Sequence, residues 1–472
     1  MKHYIGNGCT VESMPYEKTK ACMVAEKAAL LNNEQCEDAF FIADLGDIVA
    51  KYKKWRRLLP RVEPFYAVKC NDDYGVLKLL GDLGTSFDCA SKMEIDKVLN
   101  LGLPPSRIIY ANPCKQTSFL RHAAKRNVDL MTFDNEAELL KVKAVFPDAR
   151  LVLRILPPSN FKVQCELGMK FGCHPSKSKQ LLEKAKELEL NVVGVSFHVG
   201  SGAEEAAAFA VAVEQAYGVF QTGLDMGFPF TLLDIGGGFP GQVTAAISFE
   251  EVVDVLNPAL DHYFPASSGV RIIAEPGRYF VASAFTLTAN IIAKRMVARD
   301  RSNDEHLPDQ VVTGDDEPAY MYYINDGVYG SFNCLLFDHA TVTPSVLQDG
   351  SDMTFVSSVW GPTCDGLDCI TEESRLPEMQ IGEWIYFEDM GAYTICASST
   401  FNGMPRPRIF YLCHDVVWAQ TYSKQTKKMD QSISKVIPFM KAGHDLFETH
   451  DQVEEVFGSP RPELICDLDP LN

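Results

Sequence analysis

The sequence has no apolar run approaching the roughly 18 residues that a membrane-spanning helix requires. Its amino-terminal stretch, M-K-H-Y-I-G-N-G-C-T, lacks the hydrophobic core of a secretory signal. Positive charge is scarce: 44 Lys and Arg against 63 Asp and Glu leave a net charge of −19 at pH 7. Nucleic acid and anionic membranes both demand a basic face, so neither is expected as a partner, although a local basic pocket stays open. The 14 cysteines include no C-x-x-C pair, and the nearest two are Cys364 and Cys369. Zinc clusters use tighter spacing, so no metal is expected. Dense disulfide frameworks belong to small secreted domains. Most of these thiols are therefore expected to be reduced and buried, in a soluble cytoplasmic protein. There is no short repeat and no low-complexity tract.

What is present is a long chain with ample apolar material: 472 residues, 46% hydrophobic and 23% charged, enough for more than one domain. In the first half, short β-rich runs alternate with amphipathic helical patterns. The runs are P-F-Y-A-V-K (64–69), T-S-F-D-C (85–89), R-I-I-Y-A (107–111) and D-L-M-T-F (129–133). They continue as R-L-V-L-R-I (150–155), V-V-G-V-S-F-H-V (192–199), T-L-L-D-I (231–235) and R-I-I-A-E (271–275). Segments such as S-K-Q-L-L-E-K-A-K-E-L (178–188) and F-E-E-V-V-D-V-L (249–256) lie between them with helical periodicity. Eight strands alternating with helices predict a (β/α)8 barrel, with a doubly wound sheet as the alternative because periodicity does not report closure. After about 283 the strands follow one another without regular helices, which predicts a mostly antiparallel β-domain. The expected division is 1–37, part of or packed on the β-domain; 38–283, the barrel; 284–413, the β-domain; and 414–472, a weakly structured tail. F-F-I-A-D-L-G near 40 is a candidate to pair with the later sheet, and the polar, acidic 299–318 is expected to be a surface loop.

Reactive groups of such barrels come from the carboxyl ends of the strands. Here those ends carry Lys69, Asp88, Asn112, Arg154, His198, Gly236 to Gly238, and Glu275 with Arg278. Each has an ordinary reading. Lys69 in isolation is a snorkelling edge residue, but a lysine held among barrel loops can lose its proton and condense with an aldehyde. The glycine triplet is either a tight turn or a loop bare enough to approach a phosphate. Its match to G-x-G-x-x-G is weak, because Pro240 interrupts the place where a dinucleotide fold starts a helix. E-P-G-R (275–278) is either a turn with a salt bridge or a pair in which Arg278 grips phosphate and Glu275 bonds a protonated ring nitrogen. His198 is either a satisfied core histidine or a ring stacked on a flat cofactor, with Ser201 on the phosphate. Lysine for an aldehyde, a carboxylate for a pyridine nitrogen, and Gly, Ser and Arg for a phosphate together describe pyridoxal 5′-phosphate (PLP).

The motifs P-F-Y-A-V-K-C-N, F-D-C-A-S-K-x-E-I, Y-A-N-P-C-K-Q, V-S-F-H-V-G-S-G, L-D-I-G-G-G-F-P-G, A-E-P-G-R-Y, W-G-P-T-C-D-G-L-D and D-M-G-A-Y-T closely resemble those of the eukaryotic ornithine decarboxylases. This is a group IV decarboxylase family with an alanine-racemase-like fold. The resemblance runs from about 38 to about 412. It implies a barrel plus β-domain, a homodimer with shared active sites, and conversion of L-ornithine to putrescine. It further implies that Lys69 carries PLP, His198 stacks on its ring, and Glu275 bonds the ring nitrogen. Ser201, Gly238, Gly277, Arg278 and Tyr393, with Pro276 between two of them, fall on the phosphate-binding motifs. Asp88, Glu94 and Arg154 match the supporting shell. By the same resemblance Cys364 protonates the α-carbon, and Asp338 and Asp365 hold the substrate's distal ammonium. Phe337 stands where the family often has tyrosine, which bears on substrate preference. The family also includes antizyme inhibitors, which bind antizyme without catalysis. The stretch 115–141 resembles an antizyme-binding region and reads equally well as a solvated helix face. This chain keeps Lys69, Asp88, Arg154, Arg278, Cys364, Asp365 and Tyr393 together, so an active enzyme is expected. A related decarboxylase acting on lysine, arginine or another amino acid is the remaining alternative.

Overall fold

Runs of β-branched and aromatic residues too short for helices, each followed by an amphipathic helix, can bury both strand faces only in a parallel sheet covered by those helices. The computed structural model of the chain describes residues 2–15, 18–158, 160–299, 306–307, 318–347 and 353–422. In it the eight runs are strands Val62–Ala67, Ser86–Cys89, Ile108–Tyr110, Leu130–Phe133, Arg150–Arg154, Asn191–Ser196, Leu232–Asp234 and Arg271–Ala274. Each pairs in parallel with the next, and the eighth pairs with the first, so the sheet closes into a barrel rather than staying open. The interior is filled by Phe65, Ile109, Leu130, Val152, Val193, Leu232 and Ile273, contributed by seven of the strands. It is a packed core, not a pore. In the sixth strand a side chain at Gly194 would bring its Cβ within 1.9 Å of the Leu232 carbonyl oxygen, so the barrel wall closes only with glycine there.

The strands end a little earlier than their apolar runs. The first stops at Ala67 and continues as the short turn Val68–Cys70, which carries Lys69 off the strand and onto the barrel rim. His198 likewise lies in the loop after Ser196. The chain must turn over the rim at these points, and the last apolar residues pack there instead of pairing.

Eleven of the remaining strands form a second sheet whose main path runs, in spatial order, Lys2–Gly6, Cys9–Met14, Arg408–His414, Phe40–Asp44, Phe285–Arg299, Pro318–Ile324, Phe355–Trp360 and Cys369–Leu376, with His306–Leu307, Pro344–Val346 and Trp384–Phe387 paired off that path. Most of its pairings are antiparallel. Arg408–His414 is parallel to both neighbours, and Pro318–Ile324 is parallel to Phe355–Trp360. Phe40–Asp44 pairs with Phe285–Arg299, so the segment near 40 does join the later sheet. Helix Lys20–Asn33 buries Met23, Val24, Ala28 and Leu31 against Phe40, Ile42, Trp384 and Leu412, a one-sided stripe at helical spacing. Residues 415–422, where an unpatterned tail was expected to begin, are helical. The acidic loop expected over 299–318 falls mainly outside the described residues, as does the tail beyond 422. No helix among the described residues is long and apolar enough to cross a membrane.

Candidate active site

Loops leaving the carboxyl ends of the strands converge on one cleft lined by Lys69, His198, Ser201, Gly238, Glu275, Gly277, Arg278 and Tyr393. Lys69 Nζ is ion-paired with Asp88 Oδ2, and Asp88 is almost completely buried at the end of the second strand. Burial opposes the lysine charge. Asp88, Tyr393 and Glu275 together outweigh it, and the ammonium is held above its ordinary pKa. His198 is pushed the other way: desolvation, then the charges of Arg154 and Lys69, keep its pKa well below the usual imidazole range. Its ring is therefore neutral, and Nδ1 accepts the Gly200 N–H at 3.1 Å.

Two buried acids, Glu275 and Asp234, lie close enough to interact. Burial raises both carboxyls, Asp234 to about 7 although hydrogen bonds with Gly236 and Glu275 pull it down, and the Asp234 charge raises Glu275 further. Asp234 Oδ1 accepts the Gly236 N–H at 2.9 Å. Asp234 Oδ2 and Glu275 Oε1 have no donor among the described residues. Two facing acceptors without a donor suit a proton shared between them or an N–H brought in by a bound group.

Arg278 lines the same cleft. Its guanidinium donates to both carboxylate oxygens of Asp338, Nη1 to Oδ2 at 2.9 Å and Nη2 to Oδ1 at 2.7 Å, and Nη2 also reaches Ser201 Oγ at 2.9 Å. The Tyr393 ring lies 5.2 Å from its Cζ. Tyr393 itself is held at φ 57°, with its N–H on the Cys70 carbonyl oxygen at 2.9 Å. The backbone of Gly237 packs so closely that a Cβ would meet both the Glu275 carbonyl oxygen and His198 Nε2 at 2.8 Å. The result is a bare glycine turn, a serine and an arginine gathered in one cleft with a lysine and a donor-poor acid pair. This arrangement fits PLP, whose phosphate needs N–H, O–H and guanidinium donors, whose ring nitrogen offers a proton, and whose aldehyde needs an amine.

The other residues singled out in the sequence do not line this cleft themselves. Arg154 closes the fifth strand with its guanidinium over Phe171, and Glu94 accepts the Ala90 N–H at 2.6 Å beside Asp88. Pro276 lends its carbonyl oxygen to the Ala67 N–H at 3.2 Å. Cys364 and Asp365 occupy the turn between Phe355–Trp360 and Cys369–Leu376 and do not border the Lys69 cleft. Cys364 is exposed, and Asp365 accepts from the Tyr329 hydroxyl. Phe337 is 71% exposed, whereas its neighbour Asp338 is buried on Arg278. In the stretch 115–141, Lys115 does not belong to a solvated face. It is buried against Glu138, with Nζ on the Thr132 carbonyl oxygen at 2.6 Å. Asp234 and Gln164 escaped the sequence reading. Asp234 does carry a sequence signal, as an acid ending the apolar strand Leu232–Asp234 just before the glycine triplet.

Residues 45–282, half of the chain, match the pyridoxal-binding domain of the pyridoxal-dependent decarboxylases. Rat ornithine decarboxylase is 52% identical over 83% of this chain and 84% of its own length. Antizyme inhibitor 2 of Xenopus laevis is also 52% identical, over 81% of this chain and 82% of its own. Among solved structures, the arginine decarboxylase of Paramecium bursaria Chlorella virus superposes with a TM-score of 0.74 at 34% identity, covering 82% of this chain and 99% of that one. The lysine/ornithine decarboxylase of Vibrio vulnificus, complexed with cadaverine, gives 0.72 at 29% identity, over 84% and 99%. A cleft suited to PLP, a closed parallel barrel and these matches agree: the chain belongs to the pyridoxal-dependent decarboxylase family, among the ornithine decarboxylases and their relatives.

Proposed function

We propose that the chain decarboxylates L-ornithine to putrescine and carbon dioxide, the first step of polyamine synthesis, using PLP. The observation that carries this reading is the gathering of Lys69, His198, Glu275, Ser201 and Arg278 around one cleft. PLP, when bound, supplies a protonated pyridine ring that takes up the electron pair left by the departing carboxylate. Lys69 would hold the cofactor until the substrate amine displaces it, and Asp88 would pair with its ammonium whenever the lysine is free. Glu275 would keep the ring nitrogen protonated, backed by Asp234. The neutral His198 would lie on the ring face, with Arg154 in support. Ser201, Gly238, Gly277, Arg278 and Tyr393 would bind phosphate, with Pro276 shaping the turn.

Cys364 would return a proton to the α-carbon, and Asp338 and Asp365 would receive the distal ammonium, beside Phe337. Two carboxylates facing a cationic tail would favour a cationic substrate over an apolar one, with Asp338 sharing its charge with Arg278. Cys364 and Asp365 lie away from the cleft of their own chain, so a homodimer in which each β-domain, 284–413, lends its turn to the partner's barrel, 38–283, would complete two shared sites. Leu367, 72% exposed in that turn, and the exposed Phe337 fit a face covered by a second copy. A cytoplasmic setting agrees with the described cysteines, none of which is paired.

The second reading, a non-catalytic regulator that binds antizyme, is favoured by the likeness to antizyme inhibitor 2. Such contact would use the exposed Arg121 and Lys125 of 115–141 rather than the buried Lys115. Carbon dioxide release measured with ornithine, lysine and arginine separates the readings. Ornithine is expected to be the best substrate. Release from lysine or arginine in preference would change the substrate, and no release from any, with PLP bound, would favour the regulator.

A further inference from the structure

Between the fifth and sixth barrel strands the chain makes a long excursion that none of the roles above uses. Part of it, Val163–Cys165, forms a two-stranded antiparallel ribbon with Ser201–Ala203, in which Cys165 faces Ser201. From this ribbon the half-buried Gln164 sends its amide across to Asp338. Nε2 donates to the Asp338 backbone carbonyl oxygen and, at 3.2 Å, to Oδ2. The Cys165 thiol adds a contact to the same carbonyl oxygen at 3.5 Å. Gly202 makes this possible: at φ 65° its missing Cβ would lie 2.5 Å from Gln164 Oε1 and 2.8 Å from its Cβ, so any other residue there would expel the glutamine side chain. Asp338 in turn holds Arg278 through two bonds, with both side chains almost fully buried. A guanidinium on a buried carboxylate keeps its direction only as well as the carboxylate keeps its own.

We propose that Gln164 is a positioning residue: by anchoring Asp338 it fixes the Arg278 guanidinium at the phosphate end of the cleft, so that the excursion contributes to the cleft's affinity for a phosphorylated cofactor. This rests on the reading that the cleft binds PLP with its phosphate toward Arg278. The consequence is specific to phosphate. Loosening Gln164 weakens the grip on the phosphate but leaves the ring and aldehyde contacts of Lys69, His198 and Glu275 as they are.

The test titrates the full apo chain with PLP and, separately, with pyridoxal, which lacks the phosphate, following the visible absorbance of the bound chromophore. Gln164→Leu should lower PLP affinity about tenfold, the order expected when a hydrogen bond to a charged group is removed. Pyridoxal affinity should change by less than about twofold. Gln164→Asn, which keeps the amide but shortens its reach, should lower the PLP-to-pyridoxal ratio in the same way and serves if the leucine variant folds poorly. In an Arg278→Lys background the Gln164 change should have little further effect, because the group it positions is gone. An unchanged ratio, an equal loss for both ligands, or a full loss persisting in the Arg278→Lys background would overturn the positioning role. If the wild-type chain bound no PLP, the functional reading would fail instead, and the two failures are distinguishable in one titration set.

Discussion

Asp234 and Glu275 form the pair of groups whose protonation in the folded chain differs most plainly from that in an unfolded one. An unfolded aspartate titrates near ~3.9, whereas burial lifts Asp234 to about 7. Between those values the folded chain binds more protons than the unfolded chain. The stability this group contributes is therefore fully present below the lower value and is lost as pH rises through the upper one. Its slope is at most about 1.4 kcal/mol per pH unit for a single proton. His198 works in the opposite sense, because its depressed pKa makes the unfolded chain the better proton binder as pH falls below the ordinary imidazole range. A comparison of variants isolates the acid pair. Denaturant titrations of the apo chain from pH 5 to 8 should show the Asp234→Asn variant losing less stability with rising pH than the wild type. Parallel curves would mean that Asp234 is ionised throughout. At this scale the sequence was most legible where an ionisable residue ends an apolar strand, as with Asp88, Arg154 and Glu275. It was least legible for Gln164, whose excursion has no periodicity and whose target, Asp338, is distant in the chain.

At the scale of elements, eight runs were readable as strands because a strand buried on both faces must be apolar nearly throughout. The pairing of Phe40–Asp44 with Arg408–His414 was not readable, since nothing local records a partner from the other end of the chain. The turn carrying Cys364 and Asp365 has an anchor that propensity does not reveal. The buried Asp368 accepts the Val328 N–H at 2.8 Å, the Thr363 N–H at 3.0 Å and the Thr363 hydroxyl at 2.6 Å. A Cβ at Gly327 or Gly361 would lie within 2.2 Å of its carboxylate, so both glycines are needed to let the strands approach it. Removing the carboxylate leaves these donors unpaired in a dry environment, at a cost of roughly 3 kcal/mol. Asp368→Ala should lower the denaturation midpoint accordingly. Among molecules still folded, turnover should fall with PLP affinity unchanged, because the turn and not the cleft has lost its support. A drop in PLP affinity without a drop in turnover of the loaded enzyme would contradict this assignment.

At the scale of the whole molecule, the proposed function puts the cofactor in the barrel and the proton donor on a turn that a second copy would have to deliver. Lys69→Ala and Cys364→Ala chains, each inactive alone, should then complement after subunit exchange. Mixed dimers contain one doubly altered site and one intact site, and with random exchange activity should recover to about a quarter of the wild type. No recovery despite demonstrated exchange would mean that each site is built within one chain. Beneath this lies the claim that Lys69 is the residue that carries PLP, and it has a direct chemical test. The PLP-loaded protein is treated with borohydride, which makes the lysine–cofactor bond permanent, then digested and mapped by mass spectrometry. One phosphopyridoxyl group per chain is expected, on the peptide containing Lys69, and none there in the Lys69→Ala variant. A chain that turns over ornithine yet carries its label on another lysine, or carries none, would contradict it.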